Sequence, residues 1–183
     1  MAKLIQQRRV ATDPWLLLKA SAEGAPSGSE GAPSGSDAPP PSVPAEGDVI
    51  VPLSFWLARK DALAMRSGRT GVWLESKDGP EAIAADLSRL PLVAINFPSI
   101  ADGRGYSVAR LLRERYRYKG EVRAIGTVTK DTLLGMERCG FDSFLLRDGE
   151  DAEDAVTAFD DLADHYQANT TQPIPLFRRR AAK

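Results

Sequence analysis

From Asp48 onward the chain alternates short β-type apolar runs with longer amphipathic stretches, and this alternation constrains the fold more than any other feature. Val49-Ile50-Val51 precedes a helix-like segment that Ser54 is placed to cap, with Trp56, Leu57 and Leu63 along it. Gly71-Val72-Trp73-Leu74 reads as a strand. In Asp78-Gly79-Pro80-Glu81 the proline falls in a first helical turn, and Ile83, Leu87 and Leu90 recur at helical spacing. Leu92-Val93-Ala94-Ile95-Asn96-Phe97 is the clearest buried strand, and Val108, Leu111, Leu112 and Tyr116 give the next helix its core face. Val122 to Ile125 is a strand, Thr129 to Cys139 a helix stopped by Gly140, and Phe144-Leu145-Leu146 the last strand. A final stripe runs through Ala152, Ala155, Val156, Phe159, Leu162, Ala163 and Tyr166.

Such strand–helix units in series predict an α/β fold: a parallel sheet of about five strands with helices on both faces. A doubly wound, flavodoxin-like sheet is the first choice and a partial β/α-barrel-like sheet the second. Residues 1–20 are expected to form a small N-terminal β flap, from Leu4-Ile5, Val10 and Trp15-Leu16-Leu17-Leu18 around Ala11-Thr12-Asp13-Pro14. Residues 21–47 carry a tandem seven-residue duplication, Glu23 to Ser29 and Glu30 to Ser36, and then Pro39-Pro40-Pro41. That stretch holds too little apolar surface to offset the entropy of ordering, so it reads as a disordered low-complexity linker. Residues 48–167 are the α/β domain and 168–183 a disordered tail, whose Arg178-Arg179-Arg180 run reads as solvated.

Charge narrows the function classes. The 24 basic and 25 acidic residues leave a net charge of −1, which gives no general attraction to nucleic acid or to an anionic membrane. No apolar run is long enough to cross a bilayer and the first residues lack a secretory pattern, so the expected location is cytoplasmic. One cysteine, Cys139, and one histidine, His165, cannot build an internal disulfide or a structural zinc site, so no metal site is predicted. Cys139 stands at a helix C-terminus, where the dipole gives no help toward thiolate, and reads as structural.

The most suggestive segment follows the clearest strand: Asp102-Gly103-Arg104-Gly105-Tyr106-Ser107. In open α/β sheets ligands bind beyond the carboxyl ends of the strands. A flavodoxin-like order would set this loop opposite Pro52-Leu53-Ser54, with Ser107 capping the next helix. Glycines allow close backbone approach, and a helix N-terminus offers unpaired N–H groups to an anion. Arg104 adds a planar fork, Asp102 would orient it, and Tyr106 could stack on a ligand. Arg110, Arg113 and Arg117, at helical i, i+3 and i+7, continue a basic stripe down the helix. Arg123 is a costly charge inside a strand unless Asp102, Asp131 or Asp142 pairs with it; it would point into the same crevice or stand at a strand end in water. The structural alternative is a turn at Asp102-Gly103 with a solvated arginine face. The pattern is neither a dinucleotide fingerprint, since Val108 stands at the third position, nor a P-loop, so no cofactor is identified.

Three segments together carry a family resemblance: Asp48-Val49-Ile50-Val51-Pro52-Leu53, the Asp102–Arg115 block, and Arg138-Cys139-Gly140-Phe141-Asp142. They resemble a bacterial family known as a domain of unknown function, whose members are labelled oxidoreductases and associated with assimilatory sulfite reduction. The resemblance runs from the N-terminus to about Gln167, leaving out 21–47. It implies an oxidoreductase or an accessory protein of sulfite reduction. The glycine–arginine loop would then bind sulfite, sulfate, phosphate or an anionic portion of a cofactor. Two alternatives stay open: a non-catalytic module that docks on sulfite reductase, and a flavin- or nicotinamide-dependent reductase. The family transfers no catalytic residues, so these are unknown. This chain also departs from the family's Gly-Asp-Val-Leu and Asp-Gln pattern, having Thr127, Thr129 and Thr132 in that segment.

Overall fold

A computed structural model describes residues 4–18, 43–162 and 164–181. Its strands are β1 (Leu4–Gln6), β2 (Arg9–Ala11), β3 (Trp15–Leu17), β4 (Asp48–Pro52), β5 (Thr70–Leu74), β6 (Leu92–Phe97), β7 (Glu121–Gly126) and β8 (Ser143–Leu145). The helices are α1 (Leu53–Ala64), α2 (Arg104–Glu114), α3 (Lys130–Cys139), α4 (Ala152–Val156) and α5 (Leu176–Ala181). All eight strands join one sheet in the order β2-β1-β8-β7-β6-β5-β4-β3. Strands β3 to β8 run parallel, each beside its neighbour in sequence, and β1 is antiparallel to both β8 and β2.

The two edge strands fix the shape. β2 and β3 occupy opposite edges, yet only Thr12, Asp13 and Pro14 connect them. Four Cα steps can span at most about 14 Å. Eight flat strands would hold their edges about 34 Å apart at the usual interstrand spacing. The sheet must therefore curl until its edges approach each other.

This corrects the flavodoxin-like expectation. A doubly wound sheet reverses direction once and so covers both faces; here every parallel crossover moves one strand the same way. Right-handed crossovers of that kind place all their helices on one side. Strand alternation separates the two faces accordingly. Val49, Val51, Val72, Leu74, Val93, Ile95, Phe97, Val122, Ala124 and Phe144 join the helix residues Trp56, Leu63, Val108, Leu112, Leu133 and Met136 in the larger core. Trp15, Ile50, Leu92, Ala94 and Ile125 form a second, inner cluster. The strand order is that of the partial β/α barrel, with six parallel strands rather than about five.

The N-terminal strands are not a flap laid on the domain. They supply both sheet edges, and Ile5 is fully buried. Most of the 21–47 segment lies outside the described residues. Its end is tied down by Arg66, which donates to the Pro44 and Gly47 carbonyls at 2.7 and 2.9 Å. Beyond Gln167, where a disordered tail was expected, Thr170 Oγ1 donates to the Arg138 carbonyl (2.9 Å) and Arg179 pairs with Asp164 (3.0 Å).

Two helices are shorter than their periodicity predicts. After Pro80 only one 3₁₀ turn forms (Pro80–Ile83), and the final stripe ends in a 3₁₀ turn at Thr157–Asp160, with Leu162 and Tyr166 exposed. Helix α3 is sharply bounded. Thr129 and Thr132 form a reciprocal capping box at its start, and Gly140 ends it at φ +109°. Two of the departures from the family pattern thus have a local structural use. The third, Thr127, donates to the Pro98 carbonyl at 3.3 Å.

Inside the curl lies Arg123, the largest fully buried side chain among the described residues, 1% exposed. Its Nη1 donates to both Asp13 oxygens (2.9 and 3.0 Å), and its Nε to Glu121 (2.9 Å) and Ser143 (3.1 Å). Asp13 sits in the β2–β3 connection, so this network clamps the closure from within.

Candidate functional site

The parallel strands all point their C-terminal ends at one rim. In barrel-type sheets the residues that follow those ends build the ligand site, while the opposite end serves stability. On the inner side of this rim stand Trp73, Glu75 and Asn96. Asn96 Nδ2 donates to Glu75 Oε2 (2.9 Å), and Trp73 Nε1 donates to the Leu18 carbonyl (3.0 Å). Gly126, at φ +92°, lets β7 leave the rim. A Cβ there would lie 2.5 Å from the Phe97 carbonyl oxygen and 2.6 Å from Asn96 Oδ1.

On the outer side of the same rim, the loop after β6 meets the loop after β5, not Pro52-Leu53-Ser54. The expected crevice opposite that turn is absent because β5, rather than β4, is the neighbour of β6. The buried Ser76 Oγ donates to Asp102 Oδ2 at 2.6 Å. Arg104 closes a fork on the same carboxylate: Nε to Oδ1 at 2.9 Å and Nη2 to Oδ2 at 2.6 Å, with a further Nη2 bond to Ser76 Oγ at 3.1 Å. Hydrogen bonds from Arg104 and Ser76 hold the Asp102 carboxyl well below the usual carboxylate range. The pair is therefore charged at any ordinary pH, and Arg104 is fixed in direction. Its Nη1 makes no hydrogen bond among the described residues and stays available to an incoming oxygen.

The remaining predicted site residues separate. Gly103 is the α2 N-cap, exposed, with open space where a Cβ would be. Gly105 is buried for another reason: a Cβ would meet the Phe97 ring at 2.6 Å, so it serves helix–strand packing. Tyr106 turns inward, edge-on to Phe97 with ring centroids 5.3 Å apart, and burial pushes its hydroxyl pKa up. Ser107 lies within α2 and does not cap it.

The arginine stripe also divides. Arg110 pairs with Glu114 (2.9 Å) on the surface. Arg113 lies near the far end of α2 and donates to the Gly140, Tyr118 and Gly120 carbonyls and to Asp142. Arg123 is on the inner face, clamped by Asp13 and Glu121. The structure thus joins Asp102, Gly103 and Arg104 and removes Tyr106, Arg113 and Arg123 from their surroundings.

Sequence reasoning missed Ser76, Glu75 and Asn96. The available signal was position: a polar run directly after an apolar strand, Glu75-Ser76-Lys77-Asp78, at the end where α/β sheets bind ligands. Among the described residues no cluster of three or more histidine, cysteine or acidic side chains is arranged to hold a metal ion. No helix among them is long and apolar enough to cross a membrane.

The family described as a bacterial protein of unknown function, DUF934, matches residues 71–177, more than half of the chain. The chain belongs to that family. The DUF934 match begins in β5 and reaches α5, so it takes in Ser76, Asp102 and Arg104. The DUF934 chain is also 42% identical, over 85 residues, to a Schizosaccharomyces pombe protein named as an uncharacterized oxidoreductase. That match covers 45% of this chain and 28% of the yeast protein, so the chain spans under a third of that relative. No solved structure matches it.

Proposed function

We propose that this protein serves an oxidoreductase system, that of sulfite reduction, by receiving a small oxyanion such as sulfite at the rim where β5 and β6 end. The observation that carries the reading is the Ser76–Asp102–Arg104 cluster beside the uncovered backbone of Gly103. A guanidinium held in place by a carboxylate presents its remaining N–H edge without first losing side-chain entropy. Because Asp102 neutralises most of its charge, the affinity is modest, about millimolar by the usual relation of weak charge-assisted contacts to binding. Such a site admits and releases its ligand readily. The yeast relative's name and the family resemblance supply the reaction class; this chain supplies binding and orientation.

Calorimetric titration with sulfite, sulfate and phosphate tests the reading. Saturable binding that disappears in Arg104→Ala is expected. No heat at high anion concentration, or equal binding by the variant, rejects it.

A second reading has its own observation. Ile100 is 55% exposed on the same loop, beside the exposed Pro98 and Ala101, which suits a protein contact more than an ion site. The rim would then dock on the sulfite reductase polypeptide. Co-purification that is lost on Ile100→Asp, without any anion affinity, selects this reading over the first.

A further inference from the structure

Away from the rim, at the opposite end of α2, the surface opens into two adjoining cavities of about 480 and 620 Å³ that share Arg117, Tyr118 and Lys119. Each is within the range of small-molecule sites. The smaller is lined by Arg113, Glu114, Asp142 and the 169–173 segment, the larger by Leu87, Leu90 and Tyr116.

The charges do not cancel. Asp142 is taken by Arg113 (2.7 Å) and Glu114 by Arg110 (2.9 Å). Arg117 and Lys119 enter no ion pair among the described residues, which leaves two cations over the shared ridge. The backbone there is unusual as well. Arg117 sits at φ +54°, a left-handed conformation that arginine rarely adopts, and the loop holds it without the glycine that would relax it. Arg113 keeps the loop in that shape by donating to the Tyr118 and Gly120 carbonyls, both at 2.8 Å.

Asn169 stands on the wall of the smaller cavity. Asn169 Oδ1 accepts from Thr171 N (3.0 Å), Thr171 Oγ1 (2.7 Å) and Gln172 N (2.7 Å), which fixes which end of the amide is oxygen. Asn169 Nδ2 is buried and has no acceptor. Buried donors in native structures almost always find an oxygen, from the protein, from water or from a ligand.

We propose that this double cavity is a binding site for a phosphomonoester with an apolar or aromatic body. The phosphate would lie over Arg117 and Lys119 in the smaller cavity, and the body would lie against Leu87, Leu90 and Tyr116 in the larger. A bare oxyanion would leave the larger cavity empty, and an uncharged body would leave the two cations uncompensated. The site shares no residue with the rim.

Titration of the full chain with AMP, adenosine and inorganic phosphate tests the proposal. AMP is expected to bind about tenfold more tightly than either fragment, since only it fills both cavities. Arg117→Ala is expected to weaken AMP about fivefold through loss of a charged hydrogen bond, while sulfite binding at the rim is unchanged. Arg117→Gly relieves the left-handed backbone, so it is expected to raise Tm while weakening AMP as much as the alanine variant. AMP binding no better than adenosine, or undiminished in both Arg117→Ala and Lys119→Ala, overturns the site. Loss of AMP in Arg104→Ala with none in Arg117→Ala would move it to the rim and equally overturn it.

Discussion

Replacing Arg123 with methionine is the most direct test of how the curled sheet is held shut. The guanidinium is 1% exposed, and the side chains of its two acidic partners, Asp13 and Glu121, are 11% and 15% exposed. In the variant both carboxylates lose the cation facing them while staying largely out of water. Removing one member of a buried ion network costs about 3–5 kcal/mol, most of it the penalty on the charges left behind. A domain of this size has about 5–15 kcal/mol in all, so the variant should lose about a fifth of its stability or more.

Urea unfolding followed by tryptophan fluorescence measures this, with Trp15 and Trp73 reporting from opposite ends of the inner face. The companion triple variant Asp13→Asn, Glu121→Gln, Arg123→Met removes the charges together. It should recover to within about 1–2 kcal/mol of the natural chain, because neutral amides tolerate burial better than orphaned carboxylates. A loss below about 1 kcal/mol in Arg123→Met, or a triple variant weaker than the single one, would refute the reasoning.

Three further outcomes follow from local geometry. Gly126→Ala should cost about 2–3 kcal/mol in a thermal or urea melt, since φ +92° and two contacts under 3 Å leave no room for a Cβ. Thr129→Ala should cost about 1 kcal/mol by the same measurement, through loss of the capping box that starts α3. Burial pushes the Tyr118 hydroxyl well above the usual tyrosine range, where it donates to the Leu90 carbonyl at 2.8 Å. Above about pH 10 the unfolded chain therefore releases this proton while the folded chain keeps it, and stability falls as pH rises. Tyr118→Phe should lose that part of the alkaline decline, which a denaturation series across pH 9–11.5 would reveal.

The strands were legible because their patterns are local. In β6 every residue but Asn96 is buried, since one face meets helices and the other the inner cluster, and such a strand reads as a continuous apolar run. Strand order was not legible. The same five units wind equally well in one direction or two, and what decides between them is long range. Ile5 faces the helix-side core because β1 pairs with β8, and the Thr12-Asp13-Pro14 connection must join opposite edges.

The site followed the same division. Asp102 and Arg104 meet because they are two residues apart, and that was readable. Ser76 reaches them only through the β5–β6 adjacency. Arg123 was noticed as a costly charge in a strand, and its partner Asp13 lay 110 positions away in a segment read as a flap. Arginines at helical spacing share one face, but not one environment: Arg110 lies exposed against Glu114, while Arg113, three residues on, is drawn onto the Gly140 carbonyl and Asp142.

Residues made early in the chain are among the last to find their places. Leu4–Gln6 pairs with Ser143–Leu145, about 140 positions later, and until then a hydrogen-bonding edge on each has no mate. During synthesis that half-made sheet is open to other chains, and deleting the first dozen residues would leave it so permanently.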